Sequence, residues 1–213
     1  MRVSFVSAPL AALGAQPEPV GEALVVLAVP GEDPNAAVTL TDCSPFARTG
    51  FKGADTPAWL AAQGVDLPEA PNQARRQADG ALVARLSAGE VLILDPPGAA
   101  LGLSARLTQA WGWEAGLCFP VPRQDTHAWF RLAGPALPAL MAKLCAVDLR
   151  PRAFADGAVA QTSVARHSAI VVRDGGAFHL LADSASAETL WGFLGEALGE
   201  FGGGVTGARG LVS

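Results

Sequence analysis

One group of side chains in this sequence has the right chemistry to bind an anion. It consists of four cations and an amide: Arg48, Lys52, Asn72, Arg75 and Arg76. We expect these residues on loops of the first half of the chain, because loops on a rigid scaffold commonly carry binding residues. Arginine can hold a carboxylate or phosphate through two parallel hydrogen bonds. The cluster would suit an anionic ligand or a protein partner, and ordinary solvated loops are the simpler interpretation.

The residues with catalytic potential form no recognisable set. His127, His167 and His179 are isolated, since no acid or nucleophile lies at a diagnostic spacing from any of them. The phosphate loop GxxxxGK[ST], the elbow GxSxG and the zinc motif HExxH do not occur in the sequence. Residues 202–207 formally match GxGxxG, but they follow a predicted helix and open none, so we interpret them as flexible tail. We expect no catalysis by this chain alone.

Cysteine usage and charge exclude several classes of protein. Cys43, Cys118 and Cys145 are far apart and have no histidine at metal-ligand spacing, so we expect free thiols in a reducing, cytoplasmic compartment and no metal site. Fifteen basic and 20 acidic residues give a net charge of −5, and there is no tyrosine. This composition offers no basic footprint or stacking platform for nucleic acid. No apolar run approaches the ~18 residues of a membrane span, so we expect no membrane association.

The elements that must position these residues occur twice in the chain. Residues 51–61 align with residues 132–142 at a constant offset of 81, sharing their glycine, proline and alanine positions. A second block, 81–85, aligns with 169–173 at an offset of 88. Two blocks in the same order predict a structural duplication.

Each copy is predicted as a β-α-β-β-α unit. A strand reaches Gly53 or Gly134, a helix follows, and a hairpin with a glycine-containing turn leads to Asp95 or Asp183, which we expect to cap the last helix. The predicted class is therefore α+β, with two tandem ferredoxin-like halves, mostly antiparallel sheet and helices packed on it. The second copy is expected to carry an extra strand at 158–164.

The predicted organisation has four segments. An N-terminal extension, 1–38, carries one strand at 24–29 and is followed by a first half at 39–125. A second half spans 126–201, and 202–213 is expected to be a flexible tail.

Several segments resemble the gamma subunit of heterotetrameric sarcosine oxidase. They are residues 40–53, Pro71 and Asn72, 85–94, 148–154 and 161–166. That family is itself similar to the folate-binding part of the aminomethyltransferases of the glycine cleavage system. The resemblance covers about residues 40–200, and Cys43 departs from it because an aliphatic residue is expected at that position.

The resemblance implies a subunit of an enzyme that demethylates sarcosine to glycine and passes the one-carbon unit to tetrahydrofolate. In that family FAD, FMN and NAD belong to larger flavoprotein subunits and zinc to the smallest, so none is expected on this chain, and tetrahydrofolate is likewise implied for the partner subunits. The implied role of a gamma subunit is structural. A stand-alone folate-binding, aminomethyltransferase-like protein is the competing hypothesis, and an unrelated interaction module with the same fold is a third.

Composition also predicts a partner surface. The mean hydropathy is +0.30 and only 16% of residues are charged. Polar surface is therefore scarce, which predicts an apolar face covered by another protein. We expect residues 48–52 and 71–76 to border that face, with arginines at its rim.

Overall fold

The computed structural model describes residues 1–212. Its helices, in chain order, are α1 (Ser7–Ala12), α2 (Thr56–Ala62), α3 (Leu103–Ala110), α4 (Arg123–Thr126), α5 (Leu137–Leu144) and α6 (Ala187–Glu200). Its strands are β1 (Pro17–Val20), β2 (Ala23–Val26), β3 (Thr39–Asp42), β4 (Arg48–Lys52), β5 (Gln73–Arg76), β6 (Leu82–Ser87), β7 (Glu90–Leu94), β8 (Phe119–Pro120), β9 (His127–Ala133), β10 (Val159–Val164), β11 (His167–Asp174), β12 (Ala177–Asp183) and β13 (Gly204–Val205). Within this part of the chain no helix has the length and apolar character needed to cross a bilayer.

Two large sheets follow the same path. One has the strand order β5-β6-β7-β4-β8, and the other has β10-β11-β12-β9-β3-β13. All pairs in both sheets are antiparallel except β13 with β3. In each sheet a helix, α2 or α5, follows the strand beside the hairpin, and α3 or α6 follows the hairpin. The predicted α+β class with mostly antiparallel sheet is confirmed.

A glycine shared by the two copies explains part of the repeat. Gly53 and Gly134 are 81 residues apart and have φ values of +142° and +129°, a region that side chains rarely adopt. A Cβ at Gly53 would collide with the carbonyl of Leu117, and one at Gly134 with the carbonyl of Ala37. In both copies the chain passes over this glycine just before it enters the neighbouring strand, β8 or β3.

The layers are helix, sheet, sheet and helix. The inner faces of the sheets pack together through a cluster that includes Leu82, Leu92, Leu94, Trp129, Val172 and Leu181. The outer faces are covered by helices, with Leu60, Ile93 and Leu107 on one side and Phe130, Leu140, Leu180 and Leu194 on the other. Alternation along β9 places Phe130 in the helix-covered core and Trp129 between the sheets.

Three sequence predictions about these elements are wrong. The strand at 158–164 is not an extra one, because β10 occupies the edge position that β5 occupies in the other sheet. Strand β3, which we assigned to the first half, pairs with β9 and so belongs to the second sheet. The flexible tail expected at 202–213 is not present over 202–212: Gly204 and Thr206 donate to the carbonyls of Val38 and Leu40 along β3, which would otherwise be an open edge. Ser213 lies outside the described residues.

The other predictions about connections are partly confirmed. Asp183 accepts from the backbone N–H of Ala185 and caps a short 3-10 helix that leads into α6. Asp95 does not start its helix directly; α3 begins eight residues later, and Asp95 accepts from the N–H of Ser104 in its first turn. The N-terminal extension holds a hairpin of β1 and β2 rather than one strand at 24–29. The boundary between residues 125 and 126 stays a prediction.

Candidate functional site

A polar cleft lies where the two sheets meet at one edge. It has a volume of about 530 Å³ and takes its walls from the β6–β7 hairpin, from α4 and from the strands β10, β11 and β12. Its ionisable lining residues are Glu90, Arg123, His127 and Asp183. Gln161, Thr162 and Ser168 add amide and hydroxyl groups. A cleft of this size and polarity suits a small polar molecule.

Arg48 lies on β4 and is 3% exposed, so it is not on a loop as we expected. Its guanidinium donates to five main-chain carbonyls, those of Ser44, Phe46, Arg123, Gln124 and His127. Burial lowers the pKa of Arg48 to about 10, which still leaves it charged at neutral pH. All five of its N–H donors are directed at the main chain. Arg48 therefore joins the segment before β4 to the segment around α4, a contact that we call the junction, and it has no donor left for a ligand.

Lys52 reaches the rim of the cleft through an ion pair. Its ammonium lies 2.9 Å from Oε2 of Glu90, and Arg123 Nη2 lies 2.5 Å from Oε1 of the same carboxylate. Burial acts to raise the pKa of Glu90, but the hydrogen bond from Lys52 and the charge of Arg123 lower it overall. Both carboxylate oxygens of Glu90 are therefore occupied and the group is ionised.

His127 is neutral and its ring orientation is fixed. Arg123 Nη1 donates to Nε2 of His127 at 3.0 Å, and because arginine has no acceptor, Nε2 must be the acceptor. The imidazole proton is then on Nδ1, 2.8 Å from the hydroxyl of Thr126. Burial, with the charges of Arg123 and Arg48, lowers the pKa of His127 to about 4. A histidine whose basic nitrogen is already engaged is not a general base.

The other predicted site residues divide between the rim and the outer surface. Oδ1 of Asn72, which has φ +61°, accepts at 3.0 Å from Nε2 of Gln161, a residue that lines the cleft. Arg75 and Arg76 are on β5, not on a loop, and they form ion pairs with Asp66 and Asp174. Lys52 and Asn72 each contact a residue that lines the cleft, whereas Arg48, Arg75 and Arg76 are engaged in structural contacts.

A chain of hydrogen bonds runs from the buried Trp129 to the exposed Arg76 and links the two sheets, and the sequence did not point to it. Trp129 Nε1 donates to Nδ1 of His179 at 3.0 Å, and Nε2 of His179 lies 3.3 Å from Oδ2 of Asp174, which also pairs with Arg76. Burial lowers the pKa of His179. The hydrogen bond from His179 and the charge of Arg76 lower the pKa of Asp174 to about 2. The only feature of the sequence that could have indicated this chain of hydrogen bonds is the alternation along β12, which places His179 on the same face as Leu181.

Metal or thiol chemistry finds no support in the part of the chain that the structure describes. Residues 1–212 contain no group of three or more His, Cys, Asp or Glu side chains placed to hold a metal ion. Cys43, Cys118 and Cys145 are free and buried, as expected, and burial raises the pKa of the Cys43 thiol. Among the ionisable groups that line the cleft, Glu90 and His127 are both engaged by Arg123, so these two do not form a free acid–base pair.

Two curated proteins resemble this chain in sequence, and no family model matches it. The sarcosine oxidase subunit gamma of an Arthrobacter species is 32% identical over 118 residues, which are 55% of this chain and 56% of that protein. The sarcosine oxidase subunit gamma of Corynebacterium sp. (strain P-1) is 30% identical over 141 residues, which are 66% of this chain and 68% of that protein. This chain belongs to the sarcosine oxidase gamma subunit family. The match to the Arthrobacter subunit spans little more than half of that protein's length.

Solved structures share the fold. A chain of the heterotetrameric sarcosine oxidase from Corynebacterium sp. U-96, in complex with pyrrole 2-carboxylate, superposes with a TM-score of 0.70 at 22% identity, covering 93% of this chain and 95% of that one. The glycine cleavage system aminomethyltransferase T from Bartonella henselae gives 0.78 at 17% identity, covering 99% of this chain and 62% of that one. The gamma-family chain therefore has the aminomethyltransferase fold.

Proposed function

We propose that this chain is a non-catalytic, gamma-type subunit of a heterotetrameric sarcosine oxidase, an enzyme that demethylates sarcosine to glycine and passes the one-carbon unit to tetrahydrofolate. Membership of the gamma family supports the proposal. The observation that carries it is the state of the cleft: Arg123 satisfies both His127 and Glu90, and Lys52 completes the pairing. Groups that neutralise one another in this way stabilise a junction rather than react.

The flavin and nicotinamide chemistry belongs, in this proposal, to the partner subunits. FAD, FMN and NAD carry phosphates that proteins commonly bind at a glycine-rich turn opening a helix. The glycine-rich segment of this chain, 202–207, instead forms β13 and its flanks along the edge of a sheet. We assign no cofactor to this chain, and a cytoplasmic location follows from the proposed assembly.

The partner contact is proposed at the edge of the first sheet. In the second sheet the carbonyl of Val38 accepts from Gly204 of β13; the corresponding carbonyl in the first sheet, that of Cys118, accepts from the indole of Trp111 at 2.7 Å. No further strand of residues 1–212 lies beyond β8, and apolar side chains remain exposed there. Trp113, packed 5.4 Å from Trp111, is 81% exposed, and Leu117 and Phe119 are 57% and 43% exposed. We call Trp113, Leu117 and Phe119 the edge patch.

We propose the edge patch as the apolar face that the composition predicts, and only part of it lies where we expected that face. Lys52 borders it, because Lys52 and Phe119 are partners in the β4–β8 pair. The expectation that residues 71–76 also border the face stays a prediction. A larger subunit of the oxidase is the occupant we propose, since the second sheet closes the equivalent edge with its own chain and the first sheet does not.

A stand-alone, folate-binding protein is the second candidate. The volume of the cleft, about 530 Å³ between the two sheets, favours it, because a pterin needs a polar pocket of that order. A pterin also needs a free carboxylate to accept from its N–H groups. Both oxygens of Glu90 are engaged, and Oδ1 of Asp183 already accepts from Ala185, which leaves a single carboxylate oxygen. The residues fit a pterin poorly, and we derive no reaction step through it.

Co-expression of the tagged chain with the larger sarcosine oxidase subunits, followed by affinity capture, tests the proposal. We expect the subunits to be captured together, and we expect Trp113→Ser to reduce their recovery. Phe193→Ser is the matched control, since Phe193 is 44% exposed on α6, outside the edge patch. Recovery of the chain alone would reject the subunit role. Equal recovery with both variants would reject only the edge patch as the contact.

A further inference from the structure

A second pocket shares no lining residue with the cleft. It has a volume of about 480 Å³ and lies between strands β3 and β9 and the segment that follows β13. Its polar lining residues are Glu32, Thr39, Thr41, Arg131, Thr206 and Arg209. The proposed role in an oxidase assembly does not use this pocket.

Arg131 brings an unpaired positive charge into the pocket. The alternation of β9 sends Phe130 and Leu132 into the helix-covered core, so Arg131 points to the opposite face of the sheet and is half-buried there. Within residues 1–212 its side chain has no hydrogen bond and no ion pair. Its partners in the strand register are Thr41 and His179, neither of which carries a negative charge at neutral pH. A charge that is partly removed from water without a partner is unfavourable unless something else neutralises it.

Glu32, the one carboxylate among the residues lining this pocket, already accepts hydrogen bonds from the main chain. Oε2 of Glu32 accepts from the N–H groups of Val29 at 3.0 Å and of Gly207 at 2.5 Å. The residue at 207 must be glycine for this approach, because a Cβ there would collide with the carbonyl of Leu27. Glu32 therefore fixes the C-terminal segment against the body of the protein and does not serve as the counter-ion of Arg131.

Two threonine hydroxyls beside Arg131 together have one O–H group that is free to donate a hydrogen bond. The hydroxyl oxygens of Thr41 and Thr206 are 2.8 Å apart and both are buried, so they share one hydrogen bond and leave a second O–H free. The Thr39 hydroxyl, by contrast, donates to the carbonyl of Ala133. A guanidinium next to a free hydroxyl is the donor set that carboxylate and phosphate groups accept from.

The local charge also favours an anion. Arg209 lines the same pocket, is largely exposed and lies 3.9 Å from Glu18, a loose pair. Two arginines against the engaged Glu32 make the pocket positive in a chain whose net charge is −5. A positive concavity on an acidic protein raises the local concentration of anions.

We propose that this pocket binds the carboxylate or phosphate group of a small molecule, with Arg131 as the two-pronged donor and the Thr41–Thr206 pair as the third donor. The C-terminal segment supplies Thr206 and Arg209, so its pairing along β3 builds the site. The pocket is larger than one oxyanion, which leaves room for the body of the molecule.

Calorimetric titration of the purified full chain tests this, with inorganic phosphate and succinate as separate probes and sodium chloride at equal ionic strength as the reference. We expect saturable binding of at least one probe with a Kd near or below about 1 mM, and none with chloride. Saturation by phosphate alone would assign a phosphorylated ligand, and by succinate alone a carboxylate. No saturable binding of either probe would overturn the proposal.

Substitutions of Arg131 test whether this residue is responsible for the anion binding. Arg131→Gln is expected to weaken binding at least about tenfold, because it removes charge-assisted hydrogen bonds. Arg152→Gln removes the same charge from an exposed position outside the pocket and should bind as wild type. We expect Arg131→Gln to fold, since it removes an unpaired charge, and circular dichroism checks this. Arg131→Lys is the second variant. It keeps the charge but cannot donate two parallel hydrogen bonds to one anionic group, so it should also bind the anion more weakly. Unchanged affinity in both Arg131 variants would place any binding elsewhere and reject the site.

Discussion

Replacing Arg48 by lysine should separate a structural arginine from a ligand-binding one. Arg48 donates to the carbonyls of Ser44 and Phe46 on one side, and to those of Arg123, Gln124 and His127 on the other. These carbonyls belong to the chain segments before β4 and around α4, so one side chain joins them across the junction.

The size of the effect follows from counting donors. Arginine offers five N–H groups and lysine three, so lysine leaves at least two of the five carbonyls without their donor. An unsatisfied buried acceptor costs about 1–3 kcal/mol. We therefore expect Arg48→Lys to lower the free energy of unfolding by about 3 kcal/mol. For a chain of 213 residues that corresponds to a fall in Tm of about 6–12 °C.

Urea denaturation followed by circular dichroism measures this free energy. The control is Arg106→Lys, because Arg106 is exposed and makes a single bond, to the carbonyl of Gln63. We expect the control to stay within about 0.5 kcal/mol of wild type. Equal losses of stability in the two variants would show that Arg48 does not stabilise the junction. Arg48 would then again be a candidate ligand-binding residue.

Three further predictions concern His127, Gly53 and the activity of the isolated chain. As pH falls from 6.5 towards 4, the unfolded chain should protonate His127 before the folded one does, because the folded pKa is about 4. The free energy of unfolding should then decrease, by at most about 3 kcal/mol and by about 1–2 after solvent screening of this half-exposed ring. His127→Gln should flatten the pH profile, and an unchanged slope would contradict the assignment. Gly53→Ala should lower the free energy of unfolding by at least about 2 kcal/mol more than Gly64→Ala in urea titrations, since both glycines have positive φ but only Gly53 faces a carbonyl. Equal losses of stability in the two variants would contradict a role for the close approach between Gly53 and the Leu117 carbonyl. The isolated chain should be colourless and consume no oxygen with sarcosine; turnover above a heat-killed control would contradict a non-catalytic role.

The sequence predicted the repeat because its signals are local. The offset of 81 residues rests on Gly53 and Gly134, whose positive φ only glycine adopts easily, and the hairpins rest on glycine-containing turns. By contrast, β8 and β13 are two residues long, too short to show an alternating pattern. Their placement depends on which edge remains open after the sheets have formed, and no short window of sequence contains that information.

The candidate site was harder to predict for a different physical reason. A cluster of arginines indicates exposed, available charge, yet Arg48 is buried and finds carbonyls up to 79 residues away in the chain. The cleft itself joins Glu90, Arg123 and His127 from segments with no common motif. Arg131 differs from its neighbours only in being polar within an apolar strand, and its lack of a partner becomes visible only when β3 and the C-terminal segment lie beside it.

In the proposed function, this chain works as one subunit of a larger assembly. Native mass spectrometry of the tagged chain, purified from cells that also produce the larger and the smallest sarcosine oxidase subunits, tests it most directly. We expect a single assembly whose mass includes this 21.7-kDa chain and one copy of each of the other subunits. A spectrum that shows only the free chain, or only copies of itself, would contradict it.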